Sequence, residues 1–74
     1  MDSEFKKLNR LVGKRITNLR IAKNLTQKDL SKLTNISINK INKIEENGIN
    51  SLKDFFKISA ALGTTPYELI KDIF

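Results

Sequence analysis

Three hydroxyl residues in the chain each carry an acid three positions further on: Thr26 with Asp29, Ser51 with Asp54, and Thr65 with Glu68. A hydroxyl at a helix N-cap accepts from the N3 amide, and an acid at N3 reaches back to the N-cap amide while meeting the positive end of the helix dipole. Each pair therefore marks a helix start. Ser37 marks a fourth by hydroxyl alone, because the residue three on is Lys40. Pro66 strengthens the last start, since a missing amide costs nothing at the first helical position. Starts this close together leave room only for short helices, predicted over 27–34, 38–46, 52–62 and 66–72. Turns fall at Asn35, Asn47-Gly48 and Gly63-Thr64-Thr65. No period-two run of β-branched residues competes for a strand, so the expected fold is all-α.

Ahead of these starts, Phe5, Leu8, Val12, Ile16 and Leu19 recur at steps of three and four, the spacing of one helical face. They predict a first helix from about Ser3 to Lys23, ended by Asn24, which tolerates the left-handed conformation. The result is a compact five-helix bundle forming one domain over 1–74. Only Asn35-Ile36-Ser37 joins the second and third helices, too few residues to lay them antiparallel. They must cross steeply, as in a helix-turn-helix spanning about 26–46 whose second helix suits a DNA major groove.

Composition narrows the chemistry. With no Cys and no His, the chain has no disulfide framework, no thiolate or imidazole metal site and no Cys-His or Ser-His nucleophile pair. No enzyme activity and no cofactor are expected. No apolar stretch approaches the ~20 residues of a membrane span, and no secretion signal opens the chain, so a cytoplasmic location is expected. Residues 1–43 hold eleven Lys and Arg against three acids, whereas 44–74 hold three against five. A basic half suits a polyanion such as DNA; the other reading of the same charge is a solvated surface. A chain of 74 residues buries only about 60% of its unfolded surface, which makes a stabilising second copy a fair expectation.

Several segments in order resemble the lambda-type repressor helix-turn-helix domains, the Cro/cI or Xre-like family of bacterial and phage regulators. They are Val12-Gly13-Lys14-Arg15-Ile16, Leu19-Arg20, Leu25-Thr26-Gln27-Lys28-Asp29-Leu30-Ser31, Ile36-Ser37, Ile41, Ile44-Glu45 and Ile58-Ser59-Ala60-Ala61-Leu62-Gly63, covering about 12–70. The chain departs from the family by placing Asn at 24, 35 and 47 where Gly is usual. Asn is the next best residue at positive φ. The loop after the third helix is also one residue short and lacks the family's common proline, which leaves its path open.

The resemblance makes 38–46 the recognition helix. Ile41 and Ile44 then face inward with Leu30, Leu33, Ile36, Leu19 and Ile16, while Ile38, Asn39, Asn42 and Lys43 form the base-contacting set. Asn39 offers the paired donor and acceptor that match adenine, and Ile38 suits a thymine methyl; an exposed polar role and a core role are the respective alternatives. Residues at the Asn39 and Lys43 positions commonly touch bases in the family. Gln27 corresponds to a phosphate-binding Gln at the start of the second helix, and Lys28, Lys40, Lys23 and Arg15 are further phosphate candidates. Arg20 and Glu45 correspond to a structural ion pair.

The apolar surplus in 52–62 and the tail suggests a dimer contact through Ile49, Phe55, Phe56 and Phe74, with core packing as the alternative. A two-fold dimer sets two recognition helices about 34 Å apart on a near-palindromic operator. The expected function is a homodimeric, sequence-specific transcriptional regulator bound to double-stranded DNA, with no membrane or small-molecule ligand. Length and the extended first helix are similar to restriction-modification controller proteins. The alternative is a protein-interaction module, such as an antitoxin or adaptor subunit.

Overall fold

The computed structural model describes residues 2–74 and contains five helices: α1 (Asp2–Ala22), α2 (Gln27–Thr34), α3 (Ile38–Asn47), α4 (Leu52–Ala61) and α5 (Pro66–Ile70). No strand occurs among the described residues. Val12 and Ile16 of α1, Leu30 of α2, Ile36 of the turn, Ile41 and Ile44 of α3, Ile58 of α4, Leu62 just after it, and Leu69 of α5 form one buried core. Each fully buried Ile or Leu is worth about 1.5–3 kcal/mol, so all five helices are held by the same few side chains.

The apolar stripe of α1 is shorter than its spacing predicts. Phe5 stands 54% exposed outside the buried core and pairs with Phe74, ring centroids 5.7 Å apart. Leu33 also departs from its inward assignment, at 60% exposed. Leu30 and Thr34, four apart, set the inner face of α2, and Leu33 lies about 100° round from Thr34. Burying Thr34 is tolerable because its hydroxyl donates to Leu30 O at 2.7 Å and accepts from Ile36 N at 3.3 Å.

All four hydroxyl caps accept from the N3 amide, but only Thr26 and Asp29 close a reciprocal box. Asp54 instead meets Lys40 Nζ at 2.7 Å, and Glu68 meets Lys71 Nζ at 3.2 Å. In the box that does form, hydrogen bonds from the Thr26 backbone and hydroxyl side hold the Asp29 carboxyl below its ordinary range.

Asn24 and Asn35 both take φ 59°, the left-handed region. Asn47 does not: α3 runs one residue further than predicted, and Gly48 takes the positive φ of 100° instead. The loop beyond it is fixed by a side chain rather than a proline. Asn9 Nδ2 donates to Ile49 O at 2.7 Å while Ile49 N donates to Asn9 Oδ1 at 3.0 Å, so one amide satisfies both polar groups of a backbone residue.

Candidate nucleic-acid interface

What positions α3 is its inner face. Gly13 lets α1 approach to backbone distance, since a Cβ there would lie 2.6 Å from Ile44 O and 2.7 Å from Glu45 O. Beside this contact Glu45 gathers donors from both preceding helices. Arg20 Nε reaches Oε2 at 2.6 Å, and Arg20 NH2, Thr17 Oγ1 and Gln27 Nε2 reach Oε1 at 3.1, 3.0 and 3.1 Å. The Arg20 and Glu45 side chains are 12% and 5% exposed. Burial pushes the Glu45 carboxyl up, but hydrogen bonds from Arg20, Gln27 and Thr17, with the Arg20 charge, outweigh it and hold the group below its usual range. Arg20 also donates to Leu25 O at 2.7 Å, tying the α1–α2 turn to the same cluster.

The outer face of α3 is bare. Asn39, Asn42 and Lys43 are exposed, and Ile38 is 45% exposed and outside the core. Asn39 and Lys43 line an open depression with Ser37, Lys40, Asn47 and Asn50. Asn42 is the one base candidate with an internal side-chain bond, accepting from Gln27 Nε2 at 3.3 Å. Gln27 therefore braces α3 from the N-terminus of α2 through both Asn42 and Glu45.

The phosphate candidates divide. Lys28 and Lys23 are exposed, with no described carboxylate within 4.0 Å of either ammonium. Lys40 is engaged by buried Asp54, whose Oδ2 it meets off the line of a hydrogen bond. Arg15 turns the other way and donates to Glu68 O at 3.2 Å and Lys71 O at 2.7 Å, neutralising carbonyls at the C-terminus of α5. Sequence alone does not distinguish a cation used inside the fold from one left to solvent.

Of the residues assigned to a dimer contact, Ile49 and Phe55 pack against the core, whereas Phe56 and Phe74 are 54% and 57% exposed. Ile49, Phe55 and Phe74 line a small apolar hollow with Phe5 and Ile70. Sequence reasoning missed Thr17 and Asn9, and gave Asp54 only the role of a capping acid. Thr17 lies three residues before Arg20, on the side of α1 that faces Glu45, and that spacing was a usable signal. It also missed Glu46, an exposed acid that shares the outer strip of α3 with Asn42 and Lys43.

Among the described residues no cluster of acids has the makings of a metal site, and no helix is long and apolar enough to cross a membrane. Neither the curated proteins nor the solved structures compared with this chain include a match. The family model for the helix-turn-helix domain matches residues 13–73, beginning at the glycine on which α1 and α3 meet. With five helices and no described strand, a three-residue turn between α2 and α3, and this match across most of its length, the chain belongs to the helix-turn-helix domain family, consistent with its Xre/Cro-like resemblance.

Proposed function

We propose that the protein is a sequence-specific, DNA-binding transcriptional regulator that places α3 in the major groove. The observation that carries this reading is the division of α3 into a locked inner face and a bare outer one. Ile41, Ile44 and Glu45 are held by α1, α2 and the core, while Ile38, Asn39 and Lys43 make no side-chain hydrogen bond or ion pair among the described residues. Asn39 supplies the bidentate amide for adenine, Ile38 an apolar contact for a thymine methyl, and Lys43 and Asn42 further base-edge contacts. Gln27, Lys28 and Lys23 supply backbone contacts that set register without reading sequence. Arg15 and Lys40 each already meet a neighbouring helix, so a phosphate contact from either must compete with that partner, as one from Gln27 must compete with Asn42 and Glu45.

Binding as a homodimer through exposed apolar residues such as Phe56 and Phe74 gives a near-palindromic operator with half-sites about one DNA turn apart. The test is selection of bound sequences from random duplex DNA. An enriched inverted repeat whose binding collapses in Asn39→Ala/Lys43→Ala supports the reading. Weak, sequence-blind binding indifferent to those changes refutes it. Lys43→Glu then separates the two classes of function, since an interaction module tolerates it and a DNA reader does not.

A further inference from the structure

Resting on that DNA-binding reading, we infer that Lys6 and Arg10 of α1, with Asn47 at the C-terminal end of α3, form an additional contact for the phosphate backbone of duplex DNA, its charged groups supplied from outside the helix-turn-helix. Lys6, Arg10 and Asn47 line one hollow on the surface. Asn47 also lines the depression along α3 that contains Asn39 and Lys43. The two depressions thus share a wall, and the basic edge of α1 continues the exposed face of α3.

The orientation of α1 follows from its contacts. Gly13 meets the carbonyls of Ile44 and Glu45, and Thr17 bonds the Glu45 side chain. Lys6 and Arg10 lie seven residues before Gly13 and Thr17 respectively, which is nearly two full turns and the same side of the helix. They therefore project beside the C-terminal end of α3, about 6 Å apart along the axis, with Lys14 one turn further on.

Both are exposed, and no described carboxylate comes within 4.0 Å of either charged group. This contrasts with Arg15, Arg20 and Lys40, each committed to another element. Two uncommitted cations flanking an amide suit a run of phosphates. A contact of this kind adds affinity through counterion release and adds no sequence preference.

The test is binding of the full chain to a mixed-sequence DNA duplex between about 50 and 200 mM salt. Lys6→Gln/Arg10→Gln should make the slope of log K against log salt shallower by about 1.8, at about 0.9 per lost contact. The preference among selected sequences should stay the same. Lys53→Gln/Lys57→Gln on α4 removes the same charge elsewhere and should leave the slope near the wild-type value. Asn47→Lys adds a cation to the hollow and should steepen it by about 0.9.

If the wild type binds DNA and Lys6→Gln/Arg10→Gln keeps its slope, this contact is overturned while the DNA reading stands. An equal loss in the α4 variant also overturns it, because net charge then explains the effect. Wild-type binding to anionic lipid vesicles that is lost in Lys6→Gln/Arg10→Gln, with the DNA slope unchanged, transfers the site to a membrane surface. Absence of any wild-type DNA binding overturns both readings.

Discussion

Glu45→Gln removes one charge from the cluster joining α1, α2 and α3 while keeping the side chain's shape. The carboxylate accepts four hydrogen bonds from Arg20, Thr17 and Gln27. A Gln amide has one acceptor oxygen, so its NH2 group must face a donor, and the Arg20 guanidinium loses its counterion at 12% side-chain exposure. Breaking a buried pair costs about 3–5 kcal/mol, and the Arg20 bond to Leu25 O that survives puts this case near the lower end. A loss of about 3 kcal/mol is a large share of the roughly 4–11 kcal/mol expected for a domain of this size. It corresponds to a fall in Tm of about 12–24 °C. Urea unfolding followed by helical circular dichroism measures it.

The pH dependence supplies an independent check on the same cluster. Glu45 has a depressed folded pKa, so its contribution is fully present above the unfolded carboxylate value near ~4.3 and is lost as pH falls through the folded value. The Gln variant should therefore lose less stability than wild type on acidification. It should still lose some, because Asp29 is depressed in the same direction. A change under about 1 kcal/mol at neutral pH, within the range of an exposed ion pair, together with an unaltered acid limb, refutes this account of the cluster.

Gly13→Ala drives a Cβ against two backbone carbonyls and should destabilise by about 3 kcal/mol, the upper end for overpacking; an unfolding midpoint equal to wild type refutes the close approach. Asn9→Ala strips both partners from the Ile49 backbone and should cost about 1–3 kcal/mol, with faster amide exchange at Ile49 as the local readout. Thr26→Ala breaks the one reciprocal box and should cost about 1 kcal/mol in urea unfolding, and Asp29→Asn should then add little, because both residues serve the same cap.

Helix starts were legible because capping is local: Thr26, Ser37, Ser51 and Thr65 each cap with an amide three residues away. What Asp54 does was not, because it answers to Lys40 on α3, which its own segment does not contain. The same limit explains Leu33 and Thr34. A run of Leu30, Leu33, Thr34 and Ile36 fits two rotations of a short helix, and only packing against the other helices chooses the one that buries Thr34. Asn9 and Ile49 are 40 residues apart, and nothing near either position signals the pairing. At the candidate site, the outer strip of α3 followed from the apolar spacing of Ile41 and Ile44, whereas the fates of Arg15 and Lys40 depended on where α5 and α4 came to rest.

On the proposed reading, the division of α3 separates stability from binding along a single helix. Ile41, Ile44 and Glu45 hold the helix, so changes there alter folding first; Ile38, Asn39 and Lys43 lie outside the core and make no described side-chain hydrogen bond or ion pair, so under the proposed DNA-binding reading changes there should alter binding with little effect on the fold. Asn42 breaks this separation. Its side-chain oxygen accepts from the same Gln27 amide that supports Glu45, and it shares the exposed strip with Asn39 and Lys43. A base edge or phosphate that draws Gln27 away takes a donor from both Asn42 and Glu45. Arg20 and Thr17 remain, so Glu45 stays held while Asn42 is released toward solvent. On the proposed reading, Gln27 therefore links backbone contact to the side chain beside the proposed base-contacting residues, and the hydrogen bonds from α1 let that link move without loosening the helix.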